Sequence, residues 1–272
     1  MTAFLNHFFK QSVLLLSSAF ALVFTSAVYA ENCKLIEASG NAQYPPYLWR
    51  EPSDPARLTG AIAFMAEDLA KEVGIPINLA YRGPWGRVQL EVAEGRVDMI
   101  TGAFFTHPRT EYMDYIYPEF QGTRTAVWVK KNYPIEFKEW KDLKPYVGIT
   151  VVDNSFGQEF DEYAKEHLNI EEVSSLNQGL GMVSLGRIDY LIYEENPGHA
   201  YARKQGITNI ETLEQPVTSQ NLFLTVSKKS PCNSAQVKEK FSTALKKFTA
   251  EGRMEGYLKR ALDLWEHQGA AK

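Results

Sequence analysis

Residues 185–196 read LGRIDYLIYEEN, and residues 94–105 read EGRVDMITGAFF. Both carry Gly-Arg-aliphatic-Asp and run on into an apolar stretch, with the two glycines, Gly95 and Gly186, 91 positions apart. A glycine that closes a helix, followed at once by a short apolar run, is the pattern of a buried strand entered from a helix. Its repetition predicts two similar lobes in one chain.

Working outward from the first copy, KLIEAS (34–39) reads as a strand. AIAFMAEDLAKEVG (61–74) repeats Ile62, Met65, Leu69 and Val73 at helical spacing before Gly74. INLAYR (77–82) is a second strand, and residues 85–94 form a helix that delivers VDMIT. Around the other copy, YVGITVV (146–152) is a strand, and SFGQEFDEYAKEHL (155–168) is a helix expected to bury Phe156, Phe160 and Tyr163. IEEVSS (170–175) is a strand, and a helix at 180–185 leads into IDYLIY. Strands alternating with helices imply an α/β fold, a mostly parallel sheet flanked by helices in each lobe. TRTAVWVKK (123–131) and QNLFLTVSKK (220–229) are β-patterned runs that cross between the lobes. The expected division is 31–123 with 219–272 for lobe 1 and 124–218 for lobe 2. The final helical stretch, 233–265, places Val237, Phe241, Leu245 and Phe248 on one face that returns to lobe 1.

The first thirty residues differ in kind. Lys10 is their only charged side chain, an apolar run at 13–24 follows, and Ser26-Ala27-Val28-Tyr29-Ala30 places small residues where a signal peptidase needs them. The apolar run is shorter than the ~20 residues that cross a bilayer. The expectation is a signal peptide, 1–30, cleaved after Ala30, and a periplasmic protein. Without Lys10, 28 basic residues face 33 acidic ones, a net charge of −5, and nucleic acid is excluded as a natural partner. An even number of cysteines in an exported chain favours a bridge between Cys33 and Cys232 over two buried thiols. Closing so long a loop stabilises by roughly 4 to 5 kcal/mol in the chain-entropy model. His107, His167, His199 and His267 lack metal-ligand spacing, so neither a metal nor a cofactor is expected.

In α/β sheets, ligands gather beyond the carboxyl ends of the strands. After VDMIT come Gly102, Phe104, Thr106 and Arg109; after IDYLIY come Glu194 and Glu195. If the lobes face each other, a guanidinium opposes a carboxylate, an arrangement suited to a zwitterion such as an amino acid. The planar fork of Arg binds a carboxylate through two parallel bonds. Glu194 would accept from an ammonium, each charged bond contributing roughly 1.5 to 3 kcal/mol. Glu195 is expected to be solvated. Tyr44, Tyr47, Trp85 and Phe104 offer an aromatic pocket, with Phe104 and Phe105 facing opposite ways as strand neighbours do.

Over nearly the whole chain after residue 30, the sequence resembles the type II periplasmic solute-binding proteins of the polar amino acid class, the bacterial extracellular solute-binding protein family 3. The resemblance rests on YPPY (44–47), on GRVDMITGAFFTHPRTEYMDY (95–115) with Tyr117-Pro118 after it, and on YVGITVV leading into a helix. It implies two lobes joined by two crossing strands. It further implies that Arg109 clamps an α-carboxylate, Gly102 contributes backbone, Glu194 holds the α-amino group, and Tyr44, Tyr47 and Trp85 line the side-chain pocket. Three departures stand out. Phe104 replaces a Ser or Thr, Asp153-Asn154-Ser155 replaces a Gly-Thr-Thr loop, and AIAFM after Gly60 is apolar. Asn154 and Ser155 can still cap a helix and present amides to an anion. The implied role is binding without chemistry, by a monomer that an inner-membrane ABC permease or a receptor reads. Two alternatives stay open: a sensor, and a cyclohexadienyl or arogenate dehydratase in which Glu194 serves as general acid and Arg87 as a second anchor.

Overall fold

The computed structural model describes residues 33–270, so the expected signal peptide lies outside the described residues. Strand β1 (Ile36–Ser39) is followed by short pieces β2 (Gln43–Tyr44), β3 (Leu48–Arg50) and β4 (Leu58–Thr59), then helix α1 (Ala61–Val73), β5 (Ile77–Leu79), α2 (Trp85–Ala93) and β6 (Met99–Ala103). The long strand β7 (Met113–Lys130) leads to β8 (Val147–Val151), α3 (Gln158–His167), β9 (Asn169–Val173), α4 (Leu176–Ser184), β10 (Tyr190–Glu194) and α5 (Glu195–Lys204). The chain closes with β11 (Ile210–Thr212), β12 (Thr218–Ser227), α6 (Ala235–Ala250) and α7 (Arg253–Ala270).

The sheet order is β5-β1-β6-β12-β7-β10-β8-β9, with β11 beside β7. Each half is a parallel triplet: β5, β1 and β6 in one lobe, and β9, β8 and β10 in the other. Two antiparallel strands join them. β7 starts against β12, with Met113 opposite Ser227, and ends against β10, with Thr125 opposite Glu194. The two lobes therefore share the pair of crossing strands that the β-patterned runs imply.

The repeated Gly-Arg-aliphatic-Asp is a structural device. Gly95 and Gly186 adopt left-handed φ of 74° and 66°, which glycine reaches without steric cost. Their N–H groups bond Val92 O and Val183 O, and those of Arg96 and Arg187 reach back to Glu91 O and Met182 O, satisfying carbonyls at the two helix ends. The carboxylate of Asp98 accepts from the amide of Glu37 at 2.9 Å, and that of Asp189 from the amide of Val147 at 2.7 Å. Each Asp thus holds the adjoining parallel strand at its start. The second carboxylate oxygen accepts from Ser230 Oγ at 2.6 Å in lobe 1 and from the Tyr133 hydroxyl in lobe 2.

Both faces of the sheet are covered, which is why the strands read as apolar runs and not as alternating ones. In IDYLIY, Tyr190 and Ile192 pack with Phe160 on one face, while Leu191 and Tyr193 pack with Leu176 and Leu180 on the other. In lobe 1, Ile62, Met65 and Leu69 of α1 pack with Phe241 and Leu245 of α6. Val88 and Val92 of α2 fill the opposite face with Ile100. Full burial of each such side chain is worth about 1.5 to 3 kcal/mol.

The bridge between Cys33 and Cys232 is present, with Cα atoms 4.7 Å apart and a sequence separation of 199. It fastens the segment just before β1 to the turn before α6. Three sequence expectations shift. α3 starts at Gln158, so Phe156 is buried ahead of the helix and Tyr163 is only partly covered. α4 spans Leu176–Ser184, begun by Ser175, whose hydroxyl accepts from the amide of Gln178. The C-terminal stretch breaks into two helices at Gly252, in left-handed conformation at φ 63°.

Candidate functional site

The carboxyl ends of β1, β6, β8 and β10 converge on one cleft whose space, mouth included, is about 400 Å³. From lobe 1, Tyr44, Trp85, Gly102, Phe104 and Arg109 border it; from lobe 2 come Asn154, Ser155 and Glu194. Eight of the ten ligand-binding candidates named from the sequence thus share one cavity.

Tyr47 and Thr106 do not border it. Tyr47 is fully buried behind Tyr44, ring centroids 5.0 Å apart, and its hydroxyl accepts from Asn196 Nδ2 at 2.8 Å. The tight turn between the two tyrosines, closed by Tyr47 N–H to Tyr44 O at 2.8 Å, lets one of them reach the cleft and places the other behind it. Thr106 is buried beside Tyr115, whose hydroxyl receives the Thr106 amide at 3.4 Å. Two further expectations change. Glu195 is paired with Arg124 Nη1 at 2.7 Å and is not simply solvated. Ser155 does not cap α3, whose N-cap is Gly157; its hydroxyl bonds Asp161 Oδ2 at 2.5 Å.

The sequence reading missed Asn41, Leu48, Ile62, Thr101, Ala103 and Leu222 as lining residues. Asn41 follows the carboxyl end of β1, so the rule that singled out Arg109 and Glu194 would have reached it. Ile62 carried only a core signal, because it sits on the buried stripe of α1. Leu222 lies on a crossing strand, where sequence alone does not say which neighbours face the cleft.

Arg109 sits on a short 3-10 turn, Pro108–Glu111, and is 6% exposed. Its Nη1 donates to Phe104 O at 3.0 Å, its Nε donates to Gln89 Oε1 at 3.2 Å, and its guanidinium lies 5.4 Å from the Trp85 ring. Among the described residues no carboxylate oxygen comes within 4 Å of it. A buried cation held by neutral acceptors keeps its charge available for an anion entering the cleft. Gly102, at φ 127°, lets the chain turn beside it; a Cβ there would stand 3.1 Å from Ile62 Cδ1.

Glu194 ends β10 immediately before α5 and is 4% exposed. Burial pushes its carboxyl up to about 8, against the opposing pull of its own backbone N–H and of the Arg109 charge across the cleft. Glu194 Oε2, Tyr44 Oη and Asn154 Nδ2 have no hydrogen-bond partner among the described residues. The Thr123 hydroxyl lies beside Tyr44 and donates to Gln220 O at 3.1 Å. The three residues that carry these buried, unpartnered atoms line the cavity that Arg109 enters. Behind the crossing strands a second, polar cavity also touches Glu194 and holds Asn196 and Gln220.

The lobes touch across the cleft. Trp85 Nε1 donates to Asp153 O at 3.1 Å, and Gln89 Nε2 reaches the same carbonyl at 3.4 Å. The amide of His107 donates to Gln158 Oε1 at 3.2 Å. Gln89 thus connects Arg109 to the loop that carries Asn154. Away from the cleft, Trp265 of α7 donates to Ala200 O at 3.2 Å. Arg87, the proposed second anchor, pairs with Glu91 at 2.5 Å and does not border the cavity.

Among solved structures, a histidine kinase sensor domain with similarity to periplasmic binding proteins superposes with a TM-score of 0.73 at 19% identity, covering 85% of this chain and 97% of its own. A mutant of ArgBP from T. maritima gives 0.69 at 13% identity, covering 85% and 96%. An amino acid ABC transporter substrate-binding protein, AbpA from Streptococcus pneumoniae, bound to L-arginine, gives 0.67 at 16% identity, covering 85% and 96%. At these identities the likeness establishes the two-lobed fold. A search of curated proteins finds no match. The model of the bacterial extracellular solute-binding proteins, family 3, matches residues 36–263, through both lobes and the crossing strands, and the chain belongs to that family.

Proposed function

We propose that the protein is a periplasmic solute-binding protein, its signal peptide removed after Ala30, that closes its two lobes as a monomer on a small zwitterion of the amino acid type. The lobes are residues 31–123 with 219–272 and residues 124–218, and an inner-membrane ABC permease reads the closed form. One observation carries the reading: Glu194, Tyr44 and Asn154, each with a buried polar atom that has no partner among the described residues, line one cavity with Arg109. A buried polar group without a partner costs about 1 to 3 kcal/mol, so a ligand that satisfies three of them while pairing with Arg109 gains on each. In this reading Arg109 takes the α-carboxylate and Glu194 the α-ammonium. Gly102, Asn154 and Ser155 supply polar contacts from both lobes, and Tyr44, Trp85 and Phe104 form the wall. Arginine- and glutamine-bound structures among the similar proteins support the ligand class.

Ligand at a hundred times its dissociation constant raises stability by about 2.7 kcal/mol. Thermal unfolding with a full amino acid panel tests the reading, and native mass spectrometry of gently purified protein weighs whatever it carries. A panel without any shift would remove the proposal. A sensory role is the second reading, supported by the histidine kinase sensor domain among the similar structures. A dehydratase acting on a dicarboxylate would need a second basic anchor; Arg87 is turned to Glu91, which favours binding over catalysis.

A further inference from the structure

The charges bordering the cleft are two, Arg109 and Glu194, and on the proposed reading both are used by the ligand's α-carboxylate and α-ammonium. Three charged groups near them, Asp161, Glu195 and Arg87, are bonded elsewhere, and a fourth, Asp153, faces α2. Asp161 accepts from Ser155 Oγ at 2.5 Å and from the amide of Phe156 at 2.9 Å. Glu195 is paired with Arg124 and Arg87 with Glu91. The Asp153 carboxylate lies against Gly86 of α2, so close that a Cβ on Gly86 would fall 2.0 Å from Oδ2.

What lines the rest of the cleft is neutral: Leu48, Ile62, Phe104 and Leu222 on the apolar side, with Tyr44 and Asn154 on the polar side. The bonds from Trp85 to Asp153 and from His107 to Gln158 draw the two rims together over the cleft. A charged terminus would be stripped of water there with no opposite charge to meet it, and burying one charge without a partner is strongly unfavourable. An amide, hydroxyl or aliphatic terminus meets no such penalty.

We propose that this cleft selects amino acids with uncharged side chains and rejects both basic and acidic ones, because every lining charge is consumed by the ligand's α-groups. The inference rests on the reading that the cleft holds an amino acid. Its test uses the mature chain, dialysed free of ligand, and calorimetry with pairs matched in shape: glutamine against glutamate, asparagine against aspartate, methionine against lysine, with arginine added. At least one uncharged member binds, and its charged counterpart binds weaker by about a hundredfold or more. Arginine, lysine, aspartate or glutamate binding as tightly as the best uncharged amino acid overturns the selectivity and leaves the amino acid reading standing. Failure of the whole panel to bind overturns both, so the two failures are told apart.

Discussion

Arg109 and Glu194 border one cavity from different lobes: the guanidinium comes from the turn after β6, the carboxylate from the end of β10, and the positive charge partly offsets the burial that keeps the acid protonated. The acid, raised to about 8, changes charge close to neutral pH. Several expectations follow from that pairing and from the contacts around it.

Replacing Arg109 by alanine removes two charged hydrogen bonds to a ligand carboxylate and lowers affinity by more than about a hundredfold. Stability of the ligand-free protein falls by less than about 1.5 kcal/mol, because Phe104 O retains the Tyr115 hydroxyl at 2.8 Å. Arg109→Lys does not restore binding, since an ammonium lacks the planar fork. Calorimetry beside urea unfolding separates the two effects; near-native affinity in Arg109→Ala would place the ligand elsewhere.

Glu194 makes stability and affinity depend on pH in opposite directions. Its folded value, about 8, lies above the ordinary 4.5, so between these values the native state holds a proton that the unfolded chain has lost. The stabilisation is complete below 4.5 and is lost as pH rises through 8, with a slope of up to about 1.4 kcal/mol per pH unit. An ammonium ligand favours the ionised acid, so affinity rises toward pH 8 by up to about tenfold per unit as a proton is released. Glu194→Gln flattens both profiles. Equal pH profiles for wild type and variant, by urea melts and titration calorimetry, would contradict this.

Trp85→Phe keeps an aromatic wall and deletes the indole donor to Asp153 O. The loss of one interlobe hydrogen bond, about 0.5 to 1.5 kcal/mol, weakens binding roughly three- to tenfold. The change falls on the dissociation rate, because the bond holds the lobes together after the ligand has entered. Stopped-flow release measurements decide it, and an unchanged off-rate argues against the contact.

Asp98→Asn and Asp189→Asn each leave a strand-starting amide or a hydroxyl without its acceptor, the buried Ser230 hydroxyl in lobe 1 and the half-buried Tyr133 hydroxyl in lobe 2. Each costs about 1 to 3 kcal/mol. The two losses add within about 0.5 kcal/mol, because the sites share no partner. Denaturant unfolding of the single and double variants reads the sum, and strong non-additivity would show that the two junctions are coupled.

The repeated junction was legible because its chemistry is local. Gly95 and Gly186 end helices by backbone conformation, and the apolar strands after them are buried on both faces, so spacing and composition announced both lobes. Arg109 and Glu194 were legible for a related reason: Glu194 ends a parallel strand and Arg109 follows one within six residues. Tyr47 and Thr106 carry the same residue-type signal as their neighbours, and only the turn at residues 44–47 and the packing of Tyr115 decide that they face away. Leu222 and Ile62 read as core because the cleft wall and the core use the same side chains.

The sequence by itself determined the two lobes, the crossing strands, the cysteine pair and the two opposite charges, since each follows from local periodicity, backbone preference or a rule of strand ends. Tertiary structure alone decided which polar atoms are left unpartnered, that burial raises Glu194 while Glu195 is neutralised by Arg124, and that Trp85 and Gln89 meet Asp153 across the cleft. Desolvation and pairing depend on atoms brought together from positions as far as 150 residues apart, as between Tyr44 and Glu194, and no local pattern encodes that distance.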